Sequence, residues 1–230
     1  MTTDASLRLE IHSRSDAVGT LVVLPDRDTT RATLTAFETH AGANALSVVV
    51  VRSPHPPDAW WTDRETADGS SAASRLLSRL AEIPAPIALV GVGVGGQGAL
   101  TLAFDQPERF PVVAAVAPAC DLSRWYDRDD SLQVLFESSS QARQWEAPLR
   151  LNPLRRPQAF WIGCDPRDEP CAPSAMRVTT KLSSSGIAVD SDLTSEIGDS
   201  RDEYAAAVAG RIATFAAERL GRIGLPILGG

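Results

Sequence analysis

The sequence predicts an α/β fold built on a mostly parallel sheet, and three observations carry that expectation. Seven short apolar runs rich in β-branched residues recur along the chain, and most are separated by stretches with helical periodicity. A glycine-dense turn joins one of the most apolar runs to a helix of small residues. Such alternation places crossover helices on both faces of a parallel sheet.

The apolar runs fall at residues 7–11, 20–24, 46–51, 87–92, 112–117, 159–162 and 187–193. The first two are joined by a Ser-Asp-Ala-Val-Gly link around Asp16, too short for a crossover helix, so they are expected to pair as an N-terminal antiparallel hairpin. Helical periodicity covers 30–40, 70–83, 95–104, 174–184 and 201–220. Residues 120–156 interrupt the rhythm and carry Trp125, Tyr126 and Trp145. A connection of that length without a pattern of its own reads as a lid or pocket wall.

The chain has 230 residues, of which 43% are hydrophobic and 22% charged, enough for one core and one domain over 1–230. A net charge of -7 opposes phosphate backbones and anionic membrane surfaces, so neither nucleic acid nor membrane is expected as a partner. Cys120, Cys164 and Cys171 are odd in number and lack metal-ligand or paired spacing, which reads as a reducing compartment. The start of the chain lacks the pattern of a signal peptide, and no apolar run spans a bilayer, so a soluble cytoplasmic protein is expected. No metal or cofactor is expected. The terminal helix surface with the apolar tail 223–228 would suit either a homodimer interface or the chain's own core.

The most informative stretch is Gly91-Val92-Gly93-Val94-Gly95-Gly96-Gln97-Gly98-Ala99-Leu100, where a buried strand gives way to a helix. It resembles the nucleophile elbow of α/β-hydrolases, and specifically of esterase D-like esterases, which reads Gly-x-Ser-x-Gly-Gly followed by Gly-Ala-Leu. The resemblance runs on through Gln106-Pro107-Glu108-Arg109-Phe110 to Ala117-Pro118-Ala119-Cys120. It implies an α/β-hydrolase fold, with Gly93 in the serine's place. The segment 161–169 resembles the strand and loop that carry the family's acid, with Asp168 the best match and Asp165 the fallback. Residues 194–204 lie where relatives read Gly-His-Ser, and there Asp199 stands in the histidine's place.

Acyl transfer on this scaffold needs a hydroxyl, an imidazole that takes its proton, and a carboxylate that orients the imidazole. Glycine offers no nucleophile, and a carboxylate with a pKa near ~3.9 is a poor base at neutral pH. The only histidines are His12, His40 and His55, all far ahead of Asp168 in sequence. The resemblance therefore implies a degenerate triad at Gly93, Asp168 and Asp199 that retains only the acid Asp168. The expected protein is a catalytically silent homologue that binds a small molecule or a partner. An esterase or other enzyme using a non-standard site on the same fold is the alternative.

The family's oxyanion hole implies backbone N–H groups at Val94 and near Asp26 and Arg27, which would suit a small carboxylate or ester-like ligand. Trp60, Trp61, Trp125 and Tyr126 are candidates for a ligand pocket, with burial in the core as the plain reading of each. Cys120 and Cys164 are read as inert buried thiols, and the pair Asp168 and Asp199 as a minor candidate for holding a cation. Gly91-x-Gly93-x-x-Gly96 also fits a dinucleotide fingerprint, which would make the protein an NAD-binding oxidoreductase. That fingerprint expects an acid closing the next strand, whereas residues 114–117 are apolar and Asp121 comes late.

Overall fold

The computed structural model describes residues 7–52, 60–65 and 69–223. Its strands are β1 (Arg8–His12), β2 (Gly19–Leu24), β3 (Leu46–Arg52), β4 (Ile87–Val92), β5 (Val112–Val116), β6 (Ala159–Gly163) and β7 (Asp190–Asp192). They form one seven-stranded sheet in the order β1-β3-β2-β4-β5-β6-β7. Every pairing is parallel except that of β1 with β3. With the surrounding helices this is an α/β-hydrolase fold.

The antiparallel pair lies at the N-terminal edge as expected, but the partner of β1 is β3, where the short link had pointed to β2. Both edges of β2 are taken by parallel neighbours, β3 and β4, and β2 is buried along its whole length. The link instead passes under the start of β3. The Arg14 amide donates to Ser47 Oγ at 3.0 Å, and the Val18 amide to the Ala45 carbonyl at 2.9 Å. Residues 13–18 have to step past one strand only, roughly 10 Å, well within the reach of an extended link of that length.

The last apolar run yields only the three-residue β7, because its first residue is spent on the preceding helix, α8 (Ala172–Ser184). Gly186, at φ +72°, and Ile187 close that helix, with the Ile187 amide donating to the Leu182 carbonyl at 3.0 Å.

The other long helices are α1 (Arg31–Ala43), α2 (Ala72–Leu80), α3 (Val94–Asp105) and α9 (Arg201–Ile223). α9 packs on α1 and lies across β2, β4, β5 and β6, whereas α3 packs on β4 and β5. A Cβ on Gly95 would come within 2.0 Å of the Leu24 carbonyl oxygen, so only glycine lets α3 press this closely on the end of β2. Every residue of α3 from Val94 to Phe104 is buried. None of the described helices is long and apolar enough to cross a membrane.

Residues 120–156 fold into four short helices, α4 (Leu122–Trp125), α5 (Asp130–Leu135), α6 (Ser139–Arg143) and α7 (Ala147–Arg150). Buried polar contacts tie this segment down. The Gln97 amide donates to the Trp145 carbonyl at 2.9 Å and accepts from the Ala147 amide at 3.1 Å. Glu146, 1% exposed, accepts from Ser123 Oγ at 2.8 Å and from Arg177 of α8 at 2.8 Å.

Candidate functional site

The glycine turn stands at the carboxyl end of β4, between β2 and β5 and under the start of α3, where open α/β sheets build their sites. Gly93 has φ 55° and ψ -117°. Its amide donates to the Val116 carbonyl at 2.9 Å, and its carbonyl accepts from the Ala119 amide at 3.0 Å. The turn is therefore held from both sides in a conformation that costs a non-glycine residue about 1 to 3 kcal/mol.

The space a side chain at 93 would enter is already filled. A Cβ there would lie 1.9 Å from Asp26 Oδ2 and 2.4 Å from Asp26 Cγ. Asp26, just beyond the end of β2, turns its carboxylate over the elbow. Its Oδ1 accepts from the Arg27 amide at 2.9 Å and its Oδ2 from Arg201 Nη1 at 2.6 Å, while its own amide donates to Thr29 Oγ1 at 2.9 Å. The amides of Asp26 and Arg27, expected to remain open to a ligand, are thus taken up within the loop. Val94, 6% exposed, follows directly as the first residue of α3.

Arg201, the first residue of α9, joins Asp26 to Asp168. Its Nε donates to Asp168 Oδ2 at 2.8 Å and its Nη2 to Asp168 Oδ1 at 3.2 Å. The three side chains are 25%, 12% and 11% exposed for Arg201, Asp26 and Asp168. Burial works against the charged guanidinium, yet its hydrogen bonds to Asp168 and the neighbouring carboxylates hold its pKa above the ordinary arginine value. Gly93, Asp26, Arg201 and Asp168 thus stand together in a carboxylate, guanidinium and carboxylate relay.

Asp199 is exposed on the loop before α9, with its amide donating to Glu203 Oε2 at 2.7 Å. It shares with Asp165, Asp168 and Arg201 the lining of a cleft of about 520 Å³. Asp165 is bound to Arg167 at 3.0 Å and 2.7 Å, and accepts from the Ile197 amide at 3.0 Å. The Arg167 guanidinium and these amides hold the Asp165 carboxyl well below the usual carboxylate range. A carboxyl depressed by folding adds stability above its unfolded value, near ~3.9, and loses it only as pH falls through the lower folded value. Arg167→Ala is therefore expected to lower thermal stability at neutral pH, where this contribution is fully present, and to flatten the acid limb so that the variant and the natural protein converge as pH falls. Melts recorded down to about pH 2 check this, and an unaltered acid limb would remove Arg167 from the account.

The aromatic candidates belong to or pack near the 120–156 segment. Trp60 is 0% and Trp61 1% exposed, so both belong to the interior. The Trp60 indole donates to Ser131 Oγ at 3.1 Å, and Arg27 pairs with Asp129 at 2.6 Å while lying 5.7 Å from the Trp60 ring. Trp125, partly buried, lies 6.4 Å from Trp60, and Tyr126 donates its hydroxyl to the Phe136 carbonyl at 3.2 Å.

Cys120, Cys164 and Cys171 are buried, and burial pushes the Cys164 thiol up to about 12 and the other two upward as well. Among the described residues no three His, Cys, Asp or Glu side chains group as metal ligands. His12 lies on the edge strand β1 beside Glu38, and His40 packs against Gly210. His55 and residues 224–228 of the apolar tail lie outside the described residues. The dinucleotide reading of Gly91, Gly93 and Gly96 finds no acid closing β5, which ends at Val116, and Asp121 is paired with Arg177.

Sequence reasoning misses two side chains of this network. The motif points to the backbone of Asp26, whereas it is the side chain that fills the elbow. Helical periodicity marks Arg201 only as the start of a helix. A signal existed: a cation in the first turn of a helix opposes the macrodipole, so its charge is expected to be spent on a specific partner.

The family described as Putative esterase matches residues 49–217 of the chain. Among solved structures, an S-formylglutathione hydrolase from Agrobacterium tumefaciens superposes with a TM-score of 0.73 at 16% identity, covering 94% of this chain and 90% of that one. Est1E from Butyrivibrio proteoclasticus gives 0.68 at 8% identity, covering 93% and 94%. The fluorophosphonate-binding serine hydrolase F of Staphylococcus aureus gives 0.67 at 15%, covering 92% and 91%. At such identities the likeness is one of fold. No curated protein matches the sequence.

Proposed function

Since the chain belongs to the Putative esterase family, we propose that it is a member whose hydrolytic centre has become a fixed ion network, and that it acts by binding rather than by serine hydrolysis. The observation that carries this reading is the Asp26 carboxylate lodged where a side chain at Gly93 would stand, 1.9 Å from the Cβ position. The elbow offers no hydroxyl, and beside it the group between the elbow and Asp168 is a guanidinium, which cannot accept a proton in water. The small carboxylate expected in the oxyanion hole has an internal counterpart in Asp26, so an external anion would have to displace it. Buried thiols without disulfide partners among the described residues favour a reducing compartment such as the cytoplasm.

The purified protein is expected to leave short-chain activated esters intact and to stay unlabelled by a fluorophosphonate. Gly93→Ser with Asp199→His is expected to remain silent too, because Asp26 and Arg201 still occupy the space. Adding Asp26→Ala and Arg201→Ala to that pair should open the site and allow labelling at residue 93. Saturable turnover by the natural protein, unchanged in Gly93→Ala, would place catalysis on another group and end this reading.

A further inference from the structure

The end of the sheet opposite the elbow, where β2, β3 and β4 begin, carries a groove of about 200 Å³. Ile11 and Val49, register partners of β1 and β3, form one wall, and Val18, Ile83 and Pro84 add to the apolar lining. Ile11 is 52% and Val18 42% exposed, so the described residues leave apolar surface uncovered here. Arg14 at the rim is spent on Asp16 and on the Gly42 carbonyl, each at 2.8 Å.

The last helix delivers the chain to this place. α9 runs antiparallel to β2, from Arg201 beside Asp26 at one end to Leu220 at the other. A Cβ on Gly19 would lie 2.7 Å from Leu220 Cδ1 and 2.9 Å from the Pro86 carbonyl oxygen, and Gly19 and Pro86 both line the groove. Residues 224–230 follow the last residue of α9, Ile223, and read Gly-Leu-Pro-Ile-Leu-Gly-Gly, with no charged side chain. Pro226 opposes continuation of the helix, and five extended residues reach about 17 Å. Residues 1–6 and 53–59 instead adjoin Arg8 and Arg52, register partners at the far end of the same ladder. The tail is thus the segment that starts beside the groove.

We propose that this groove receives the chain's own apolar tail, with Leu225, Ile227 and Leu228 against Ile11, Val18, Ile83 and Pro84. Tethering decides the occupant: a segment attached this close stands at an effective concentration on the order of millimolar, far above that of a second copy in dilute solution. The seat lies at the other end of β2 from the elbow and is independent of any chemistry there.

Val18→Cys places a thiol in the groove, and the native thiols do not compete, since Cys120, Cys164 and Cys171 are buried. Its reaction with a maleimide is expected to be about tenfold or more slower in the full chain than in a chain ending at Ile223. Leu225→Asp with Ile227→Asp, which keeps the length of the chain, is expected to react as fast as the truncated form. Val134→Cys, at a position 72% exposed on α5 near the elbow end of the sheet, should react alike in all three. Equal rates at Val18→Cys in the three chains would overturn the assignment. Protection that disappears on dilution together with a dimer mass in sedimentation would overturn it as well, because a second copy would then fill the groove.

Discussion

Gly93→Ala is expected to cost the fold roughly 2 to 5 kcal/mol, combining backbone strain with overpacking against Asp26. The strain arises because Gly93 is held at φ 55° by bonds to Val116 and Ala119 on either side, so the turn cannot relax to suit a side chain. The overpacking arises because a Cβ would sit 1.9 Å from Asp26 Oδ2, and Asp26 is anchored in turn by the Arg27 amide and by Arg201. In an Asp26→Ala background the collision is gone and only the strain remains, so the same substitution is expected to cost about 1 to 3 kcal/mol. Urea denaturation of the natural protein, the two single variants and the double variant measures the difference as a coupling energy. Strictly additive costs would mean that Asp26 does not lie over the elbow in solution.

Much of the scaffold could be read from the chain because each strand carries its own local signal. The β-branched runs at 46–51 and 87–92 are buried on both faces, and such runs need no partner in the sequence to be recognised. The partner of β1 was not local information. Six residues suffice either to turn back on the next strand or to step past one, and only the later arrival of β3 decides between them. The site divided in the same way. Gly93 and Asp168 sit in contiguous motifs and were legible. Arg201 and Asp26 lie 175 residues apart and meet only when α9 packs across the end of β2. Asp199 falls where the resemblance implies a histidine, yet it is exposed, and the space next to Asp168 is taken by the longer side chain two residues on.

Arg201→Met is expected to be the most damaging single substitution in the site, at about 3 to 5 kcal/mol, since it leaves two largely buried carboxylates without their shared counter-ion. Arg201→Lys should recover only part of the loss, because an ammonium is a point charge and cannot present the separate donors that reach Asp168 on one side and Asp26 on the other. Asp26→Asn with Asp168→Asn removes the charges that need the cation, so Arg201→Met is expected to cost much less in that background. Chemical denaturation of this set separates charge from packing: an equal loss in both backgrounds would show that Arg201 acts through its hydrocarbon stem alone. If the charge dominates, one contact accounts for both properties of the site. On the function proposed above, a group that keeps its proton at every accessible pH stands next to the elbow, so the interaction that secures α9 to the sheet would also withhold the base that hydrolysis needs.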